Sequence, residues 1–269
     1  MKLKHITIGT DPEMFLFDKA AEKFKSAIGL IPGSKETPYR PEDLDEGFGM
    51  QTDNVLIEFN VPAVELEHEH KFIGNISLMK RYIQDLIAKH NENYTIKCQA
   101  SAYLPIEELS DPQACLFGCD PDYNCYTRAQ NPSPVMEEIT LRSAGFHWHV
   151  GFENPTLRDC IKLIRYMDLF MGIPSVIMDT DTKRRSLYGK AGAFRLQPYG
   201  VEWRVLSSYF VDSPELIAFM YKQLLRAIKA FEDNETLPTP SRVIRTINRS
   251  NVEAAKQLIE EFKITNELF

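Results

Sequence analysis

The sequence predicts an α+β fold, with a mainly antiparallel sheet and helices packed on one side of it. Three observations support this prediction: strand-like segments with polar residues at alternate positions, long stretches with apolar residues at helical spacing, and capping residues where those stretches begin. A sheet with one apolar and one polar face is typical of antiparallel pairing. Strands separated by single helices could also form parallel βαβ units, so both pairings stay open at this point.

Five segments have the composition and alternation of β-strands. Their positions in the 269-residue chain are 5–17, 53–62, 95–104, 145–151 and 201–206. A polar centre interrupts the first segment, and Pro62 closes the second, because proline cannot donate a hydrogen bond to a neighbouring strand. Pro, Gly and Asp dominate residues 32–50 and 105–135, so we expect long loops there.

Four segments have the period of amphipathic helices. The first, 72–93, has apolar residues on one helical face. The other three follow capping signals, which are Thr156 with Asp159, Ser213 with Pro214, and Ser250 with Glu253. No linker is long enough to force a boundary, so we predict one domain over residues 1–269, with the helices of 213–269 packed on it.

The composition is that of an ordinary globular protein and argues against several kinds of partner. The chain is 43% hydrophobic and 26% charged, and its net charge is −7, with 38 acidic against 31 basic side chains. This balance argues against a nucleic-acid partner. No run of 18 apolar residues occurs and the first residues lack the apolar core of a signal peptide, so we expect a cytoplasmic protein without a membrane partner.

Five cysteines stand at positions 98, 115, 119, 125 and 160. An odd number without an export signal argues against a disulfide framework. Cys115, Cys119 and Cys125 cluster, but no second matched pair follows, as a structural zinc site would need. We therefore expect reduced thiols.

Four of the predicted strands carry polar side chains at alternate positions, which places them on one face of each strand. These side chains are Asp11 and Glu13, then Asn54, Glu58 and Asn60, then His147 and His149, and finally Glu202 and Arg204. Each set alone has an ordinary explanation, such as a turn, an edge residue, a surface histidine or a cross-strand ion pair. Together they indicate a metal or charged-substrate site, because inward charges need a partner.

Carboxylate and amide oxygens dominate this set, and they suit Mg²⁺ or Mn²⁺ better than zinc. Because Mg²⁺ usually bridges protein carboxylates to substrate phosphates, a nucleotide is the natural expectation. Residues 179–195 support phosphate binding with five basic side chains, which are Lys183, Arg184, Arg185, Lys190 and Arg195. The alternative is a solvated basic loop. The sequence contains no Walker motif, no GxGxxG and no GxSxG.

Seven sequence blocks, taken in order, resemble the phage-type (phiEco32-like, type 2) COOH–NH2 ligases of the glutamine synthetase and glutamate–cysteine ligase superfamily. The blocks are GTDPEMFL, IPGSKETP, TDNVLIEFNVPA, GCDPD, RSAGFHWHVGF, DTDTKRRSLYGKAGAFR and YGVEWRVLSSYFV. They run from about residue 9 to residue 211. The remaining C-terminal residues carry only a helical pattern.

This resemblance implies an antiparallel sheet curved around a funnel-like site, in which carboxylates hold two or more Mg²⁺ ions. It also implies ATP-dependent amide-bond formation, with a carboxylate and an amine as substrates. The substrate carboxylate would take the γ-phosphoryl group of ATP, and the amine would then displace phosphate from the acyl phosphate. A phage-encoded member would act in the host cytoplasm.

The resemblance also assigns roles to individual residues. It implies metal ligands at Asp11, Glu13, Asn54, Glu58 and Glu202. His147 or His149 would face nucleotide phosphate or metal, and Arg204 would bind phosphate. The candidates for the γ-phosphate and the acyl-phosphate transition state are Arg184, Arg185 and Arg195, with Lys190 as a further candidate.

Three departures from the family pattern keep other functions open. Asp11 is shorter than the glutamate expected there, Asn54 is uncharged, and Phe146 replaces an expected glycine before His147. A catalytically silent relative that binds a nucleotide or peptide is one alternative. A metal hydrolase that uses His147 and His149 is another. In each case we expect the loops 32–50 and 105–135 to form the rim of the site.

Overall fold

The computed structural model of the protein describes residues 2–115, 122–132 and 138–264. The strands are β1 (Thr7–Asp18), β2 (Lys23–Lys25), β3 (Gly49–Asp53), β4 (Leu56–Asn60), β5 (Val64–Glu65), β6 (Tyr94–Lys97), β7 (Ser101–Tyr103), β8 (Tyr123–Asn124), β9 (Leu141–Ser143), β10 (Phe146–Gly151), β11 (Ala193–Gln197) and β12 (Gly200–Trp203). The α-helices are α1 (Glu69–His90), α2 (Leu157–Met167), α3 (Ile173–Met178), α4 (Lys183–Leu187), α5 (Pro214–Asp233), α6 (Pro240–Asn248) and α7 (Val252–Glu261). A π-helical turn, Asp168–Gly172, joins α2 to α3.

Ten of the described strands form one sheet, in which the strand pairs are antiparallel. The strand order is β3-β4-β1-β10-β12-β11-β8, and β2, β5 and β6 also pair with β1. β7 and β9 form a separate two-stranded sheet. The predicted α+β fold with a mainly antiparallel sheet is confirmed, and the described strand pairs do not have the parallel arrangement of βαβ units.

Strand register sorts the side chains of this sheet onto two faces. Trp148 pairs with Trp203 across β10 and β12, and His149 pairs with Glu202 one residue further along. Because successive side chains point to opposite faces, both tryptophans lie on one face and both polar residues on the other. Arg204 follows Trp203 and returns to the face of Glu202.

The helices cover the tryptophan face. The rings of Phe72 on α1 and Tyr221 on α5 lie 5.0 and 6.1 Å from the ring of Trp148. The π-helical turn lies below β12, where the indole Nε1 of Trp203 donates a hydrogen bond of 2.8 Å to Asp168. The C-terminal helices α6 and α7 pack against α3 and against each other. Aromatic and aliphatic side chains of the sheet and helices therefore share one core.

The predicted helix starts are mostly found where the capping signals stand. Thr156 accepts a hydrogen bond from the backbone N–H of Asp159 at 3.2 Å, and Ser213 accepts one from Leu216. The predicted cap at Ser250 is wrong, because Asn251 caps α7 by accepting from the N–H of Ala254. Helix α6, which begins at Pro240, was not predicted from the sequence.

Two predicted strands divide in the structure. Asn54 adopts a left-handed conformation with φ of 53° and turns the chain, so the segment 53–62 becomes the second strand of a β3–β4 hairpin. The segment 95–104 separates into β6 and β7, which pair in different sheets. β1, by contrast, is continuous through its polar centre. Turn geometry sets these boundaries, and alternation alone does not reveal it.

The cysteines and the membrane expectation can be compared with the described residues. Cys98, Cys125 and Cys160 are free thiols, whereas Cys119 and most of the GCDPD block lie outside the described residues. In the described ranges, no helix has the length and apolar character needed to cross a membrane.

Candidate active site

Eight of the predicted site residues converge on one face of the sheet, which we call the polar face. They are Asp11, Glu13, Glu58, His147, His149, Arg195, Glu202 and Arg204. Asp11 stands opposite His147 in the register, and Glu13 stands opposite Glu58. Residues directly opposite each other in antiparallel strands share a face, so segments far apart in sequence present these groups to one site. The structure therefore brings these residues together, and the chemical role of each stays a prediction.

Asp11 joins the two histidines. Its Oδ1 atom lies 3.3 Å from Nδ1 of His147 and 3.1 Å from Nε2 of His149. Burial alone would raise the pKa of Asp11, but the neighbouring imidazoles hold it well below its ordinary value. Burial would likewise lower the pKa of His149, and Asp11 holds it above its ordinary value. Asp11 is therefore an ionised group, despite being shorter than the glutamate that the family pattern leads one to expect.

Tyr199 adds a further hydrogen bond to His149, on the solvent side of the Asp11–His149 pair. Its hydroxyl lies 2.5 Å from Nδ1 of His149, and its ring is tilted by 32° against the imidazole. A histidine with one nitrogen on Asp11 and the other on Tyr199 has a fixed ring orientation, as metal-binding histidines usually do. Tyr199 follows Pro198 in the turn between β11 and β12, a position that sequence alternation did not single out.

Glu202 and Arg204 form a buried ion pair at the centre of the polar face. Oε1 of Glu202 accepts a hydrogen bond from Nη1 of Arg204 and lies 3.4 Å from Nη1 of Arg195. Oε2 accepts from the amide of Gln197 at 3.0 Å. Burial and Asp11 would raise the pKa of Glu202, but Arg204 and the two histidines hold it below its ordinary value. Glu202 is therefore an anion whose charge is already shared among cations.

The other carboxylates of the polar face are short of cations. Burial, followed by Asp11, Asp53 and Glu13, raises the pKa of Glu58 well above its ordinary value. Burial and Glu13 raise the pKa of Asp53 to about 6. Among the described residues, Glu58 accepts one hydrogen bond, from the amide of Gln51 at 2.8 Å. A group of buried acids that repel one another is a fitting environment for a divalent cation.

Asp53 and Asp122 are site residues that the sequence argument missed. Asp53 ends β3 and lines the same cavity as Glu13 and His147. Asp122 reaches Arg204, with its Oδ2 atom 3.6 Å from Nε. Gln51 and Asp53 do alternate along β3, but the predicted loop 32–50 and the predicted strand 53–62 divide this segment, so the alternation is not apparent. Asp122 belongs to the GCDPD block, where no periodicity marks the residue that turns inward.

The metal-ligand role predicted for Asn54 is not supported by its hydrogen bonds, although Asn54 lines the same cavity as Asp53. Asn54 lies in the β3–β4 turn, where its amide nitrogen donates to the carbonyls of Gln113 and Ala114 at 3.0 and 3.1 Å. Its amide oxygen accepts from Nε of Arg142 at 3.3 Å. These contacts tie the hairpin to the loop after β7. The acid at this end of the polar face is the neighbouring Asp53.

Two adjacent arginines of the basic segment point to different places. Arg184 lines the cavity, where its Nε donates to the carbonyl of Ala144 and its Nη1 to that of Val205, both at 3.0 Å. Burial lowers the pKa of Arg184 to about 10, against the opposing effect of Glu13. Arg185 instead donates to Ser175 and to Ser250, away from the polar face. The catalytic role predicted for Arg185 is therefore not supported by its position.

Two smaller expectations are corrected by backbone geometry. Lys190 lies in the turn before β11 and does not line the cavity that contains Arg184. Phe146, which stands where the family pattern has a glycine, is fully buried on the opposite face. The glycine that leaves space for the imidazole of His147 is Gly145, because a Cβ atom at that position would lie 2.5 Å from Nε2 of His147.

Two cavities open on the polar face. One, of about 550 Å³, is lined by Asp11, Glu58, His149, Tyr199 and the glycines at positions 9 and 151. The other encloses about 70 Å³ and is lined by both acids and bases, among them Glu13, Asp53, Asp122, His147, Arg184 and Arg204. Asp11 lines the large cavity and His147 lines the small one, and the two residues belong to one ion-pair network with Glu202.

Part of this site lies in a recognised family segment. Residues 140–260 match the family described as Phage phiEco32-like COOH.NH2 ligase-type 2. This match confirms the predicted resemblance over that segment. Its name indicates an enzyme that ligates a carboxyl group to an amino group. No curated protein matches the chain.

The segment matched to the COOH.NH2 ligase family contains β10, β11 and β12, and so it contributes the histidines, the arginines and Glu202. The acids Asp11, Glu13, Asp53 and Glu58 come from earlier strands. Strand pairing between β1 and β10 joins the two contributions. The candidate site is thus built from the matched segment and the strands that precede it.

Proposed function

We propose that this COOH.NH2 ligase family protein is an ATP- and Mg²⁺-dependent enzyme that forms ADP and an acyl-phosphate intermediate. An oxygen of the substrate carboxylate attacks the γ-phosphorus of ATP, and ADP leaves. The amine nitrogen then attacks the acyl carbon and loses a proton, and phosphate leaves as the amide bond forms. The first step brings two anions together, so cations must surround them.

The observation that carries this proposal is the buried mixture of charges on the polar face. Glu13, Glu202 and Arg204 are each less than 10% exposed, although charged side chains are rarely buried without a functional or pairing reason. The acids outnumber the bases around Glu58, whereas guanidinium groups cluster around Glu202. Such a division suits metal ions on one side of a phosphate and arginines on the other.

Two groups of side chains are candidates for holding divalent cations. Glu13, Asp53 and Glu58 repel one another and offer only carboxylate oxygens, which suit Mg²⁺. Asp11, His149 and Glu202 place ligand atoms within 4.8 Å of one another, and a histidine nitrogen in the set suits Mn²⁺ as well. Bound ions would neutralise phosphate charge and relieve the repulsion among these acids. His147 lies 3.9 Å from Glu202 and would support the second set.

The arginines have separate roles in the proposed reaction. Arg204 is held between Glu202 and Asp122, so its guanidinium is oriented before any substrate binds. It would bind the transferred phosphoryl group together with Arg195. Arg184 lies across the small cavity from Glu13 and would face the acyl phosphate. The large cavity, at about 550 Å³, has room for a nucleoside, with Tyr199 on its wall.

A zinc-dependent hydrolase is the second candidate function. The set of Asp11, His149 and Glu202 mixes nitrogen and oxygen ligands, as catalytic zinc sites do. This candidate predicts one tightly held zinc ion per chain and hydrolysis without ATP. Metal analysis of the purified protein separates it from the ligase, because Mg²⁺ is lost during purification and zinc in such a site is retained.

The reaction is tested by measuring phosphate and ADP release from Mg²⁺-ATP with a panel of carboxylic acids. Hydroxylamine replaces the unknown amine, since it converts an acyl phosphate into a hydroxamate. The proposal predicts ADP and hydroxamate in equal amounts, only with a matching acid. ATP turnover that is independent of any acid would contradict it.

Nucleotide binding is tested separately by thermal unfolding with and without Mg²⁺-ATP. Ligand at 100 times its dissociation constant should stabilise the protein by about 2.7 kcal/mol. We expect Glu58→Gln to lose this Mg²⁺-dependent stabilisation and Glu92→Gln, an exposed control, to keep it. A wild-type protein without any shift would favour a catalytically silent relative that binds a peptide, or the hydrolase.

A further inference from the structure

A buried carboxylate lies on the tryptophan face of the sheet, on the opposite side of β12 from Glu202. Asp168 begins the π-helical turn between α2 and α3 and is 0% exposed. Its Oδ1 accepts a hydrogen bond of 2.8 Å from the indole of Trp203, and its Oδ2 accepts one of 2.9 Å from the hydroxyl of Tyr126. π-Helical turns of this kind occur frequently near functional sites.

Each partner of Asp168 belongs to a segment that also delivers a residue to the polar face. Trp203 stands between Glu202 and Arg204 on β12, with its side chain on the opposite side of the strand. Tyr126 follows β8, just beyond Asp122, which reaches Arg204. The backbone amide of Gly192, immediately before β11, also favours the ionised form of Asp168. One carboxylate thus contacts all three segments.

The three segments pack closely around Asp168, so a side chain of another shape would not make the same contacts. A Cβ atom on Gly192 would lie 2.7 Å from the ring of Tyr126, so the ring, the glycine and Asp168 occupy a closed arrangement. Burial raises the pKa of Asp168 to about 7, although the hydrogen bonds from Trp203 and Tyr126 oppose the shift. An apolar side chain would avoid the burial of a carboxyl group, so the acid is retained for its two acceptor oxygens.

We propose that Asp168 is a positioning residue that acts through Trp203 and Tyr126 to hold the side chains of Glu202, Arg204 and Asp122 in place on the polar face. This inference rests on the proposed function for its catalytic part, whereas its structural part can be measured without any substrate. Displacement of a catalytic group by about 1 Å can lower a rate by about 10²-fold, so a distant carboxylate can control turnover without touching the substrate.

The structural part is tested by NMR of the tryptophan indole N–H groups in Asp168→Asn, with the full chain. The chain has two tryptophans, and Trp148 is a built-in control because its buried Nε1 lacks a hydrogen-bond partner among the described residues. We expect the Trp203 resonance to move and the Trp148 resonance to stay. Hydrogen exchange of the Arg204 backbone N–H, which donates to Ala193, should also become faster.

The catalytic part is tested by a double-mutant cycle between Asp168→Asn and Trp203→Phe. We expect each variant to lower kcat by about 10- to 100-fold with little change in KM, and the double variant to be barely worse than either. Tyr126→Phe keeps the ring and removes one hydrogen bond, so it remains informative if Asp168→Asn folds poorly. Leu163→Ala, in the core of α2, should lower the melting temperature and leave kcat unchanged.

The outcomes separate this inference from the proposed function. An unmoved Trp203 resonance, or kcat losses that simply multiply in the double variant, would overturn the positioning role. A wild-type protein that never forms ADP would reject the proposed function. If the Trp203 resonance and the Arg204 exchange still respond to Asp168→Asn in that case, the structural coupling stands.

Discussion

The two faces of β12 are equally buried but have opposite chemistry. Trp203 is 0% exposed and packs with its indole on Asp168, whereas Glu202 and Arg204 on either side of it are 2% and 5% exposed and pack into an ion-pair network. Burial of an aromatic ring stabilises the fold, whereas burial of charges generally does not. The difference indicates that the tryptophan face was shaped for stability and the polar face for chemistry.

The same contrast occurs over a single residue step in α4. Arg184 and Arg185 are both buried, yet the first lines the cavity of the polar face and the second binds Ser175 and Ser250 among the helices. Neither charge nor burial therefore identifies a functional arginine in this protein. The identity of the hydrogen-bond partners does.

The largest effect on turnover is expected from the removal of the Arg204 side chain from the polar face. Arg204→Ala should lower ligase turnover by at least about 10³-fold, because a phosphoryl-binding guanidinium would be lost and the buried Glu202 would lose its nearest cation. The fold should persist, as seen by near-UV circular dichroism. Arg242→Ala, which removes an exposed ion pair with Glu261, is the control and should keep full activity. Full activity of Arg204→Ala would refute the site assignment.

Substitutions on the tryptophan face should mainly lower the free energy of unfolding. Trp203→Ala should destabilise the protein by about 3–5 kcal/mol, because it leaves a cavity and removes a hydrogen-bond donor from Asp168. Chemical denaturation measures this loss. Leu196→Ala on neighbouring β11 is a matched control, since that side chain is 48% exposed and its truncation should have a small effect. Equal losses in the two variants would remove the distinction between buried and exposed positions on this side of the sheet.

The part of the pH dependence of stability that Asp168 contributes can be isolated by comparison with Asp168→Asn, since that variant keeps the carboxyl groups of Asp53 and Glu58, whose pKa values are also raised. The pKa of Asp168 is raised from an ordinary 3.8 to about 7 in the folded protein. Between these values the folded state holds a proton that the unfolded state has lost, so stability falls as pH rises through this window and levels off above it. The total change should be at most about 4 kcal/mol, from 1.36 kcal/mol for each pKa unit.

Asp168→Asn should flatten this slope, which is measured as the difference in unfolding free energy between wild type and variant at several pH values. Trp203→Phe, which keeps the carboxyl group, should retain a falling slope. A difference that is independent of pH would show that Asp168 does not titrate in this range.

The smallest effects should come from the two arginines of α4. Arg185→Met should destabilise the protein by about 1–3 kcal/mol, because Ser175 and Ser250 would lose a buried charged donor, and should leave kcat unchanged. Arg184→Met should lower kcat by about 10- to 100-fold with a similar loss of stability. Steady-state kinetics and denaturation on both variants give the comparison. A reversed outcome, with Arg185 controlling kcat, would restore the original prediction for that residue.

Much of the polar face could be predicted from local sequence. His147 with His149, and Glu202 with Arg204, are spaced by two residues in segments that are otherwise apolar, and a strand must place such pairs on one face. The same rule linked Asp11 with Glu13. It did not apply to Asn54, because a left-handed turn at that residue breaks the alternation, and it did not single out Asp53, which lines the same cavity.

The sequence by itself determined the two-faced strands, the main helices and the chemical character of the site, since these depend on the period of side chains along a strand or helix. Only the tertiary structure decided that Arg184 rather than Arg185 faces the cavity, that Asp122 meets Arg204, and that Asp168 lies below Trp203. Those contacts join residues from separate segments, and their distances follow from strand register, turns and helix packing. No local period encodes such contacts, because they arise only when the whole sheet and its helices are assembled.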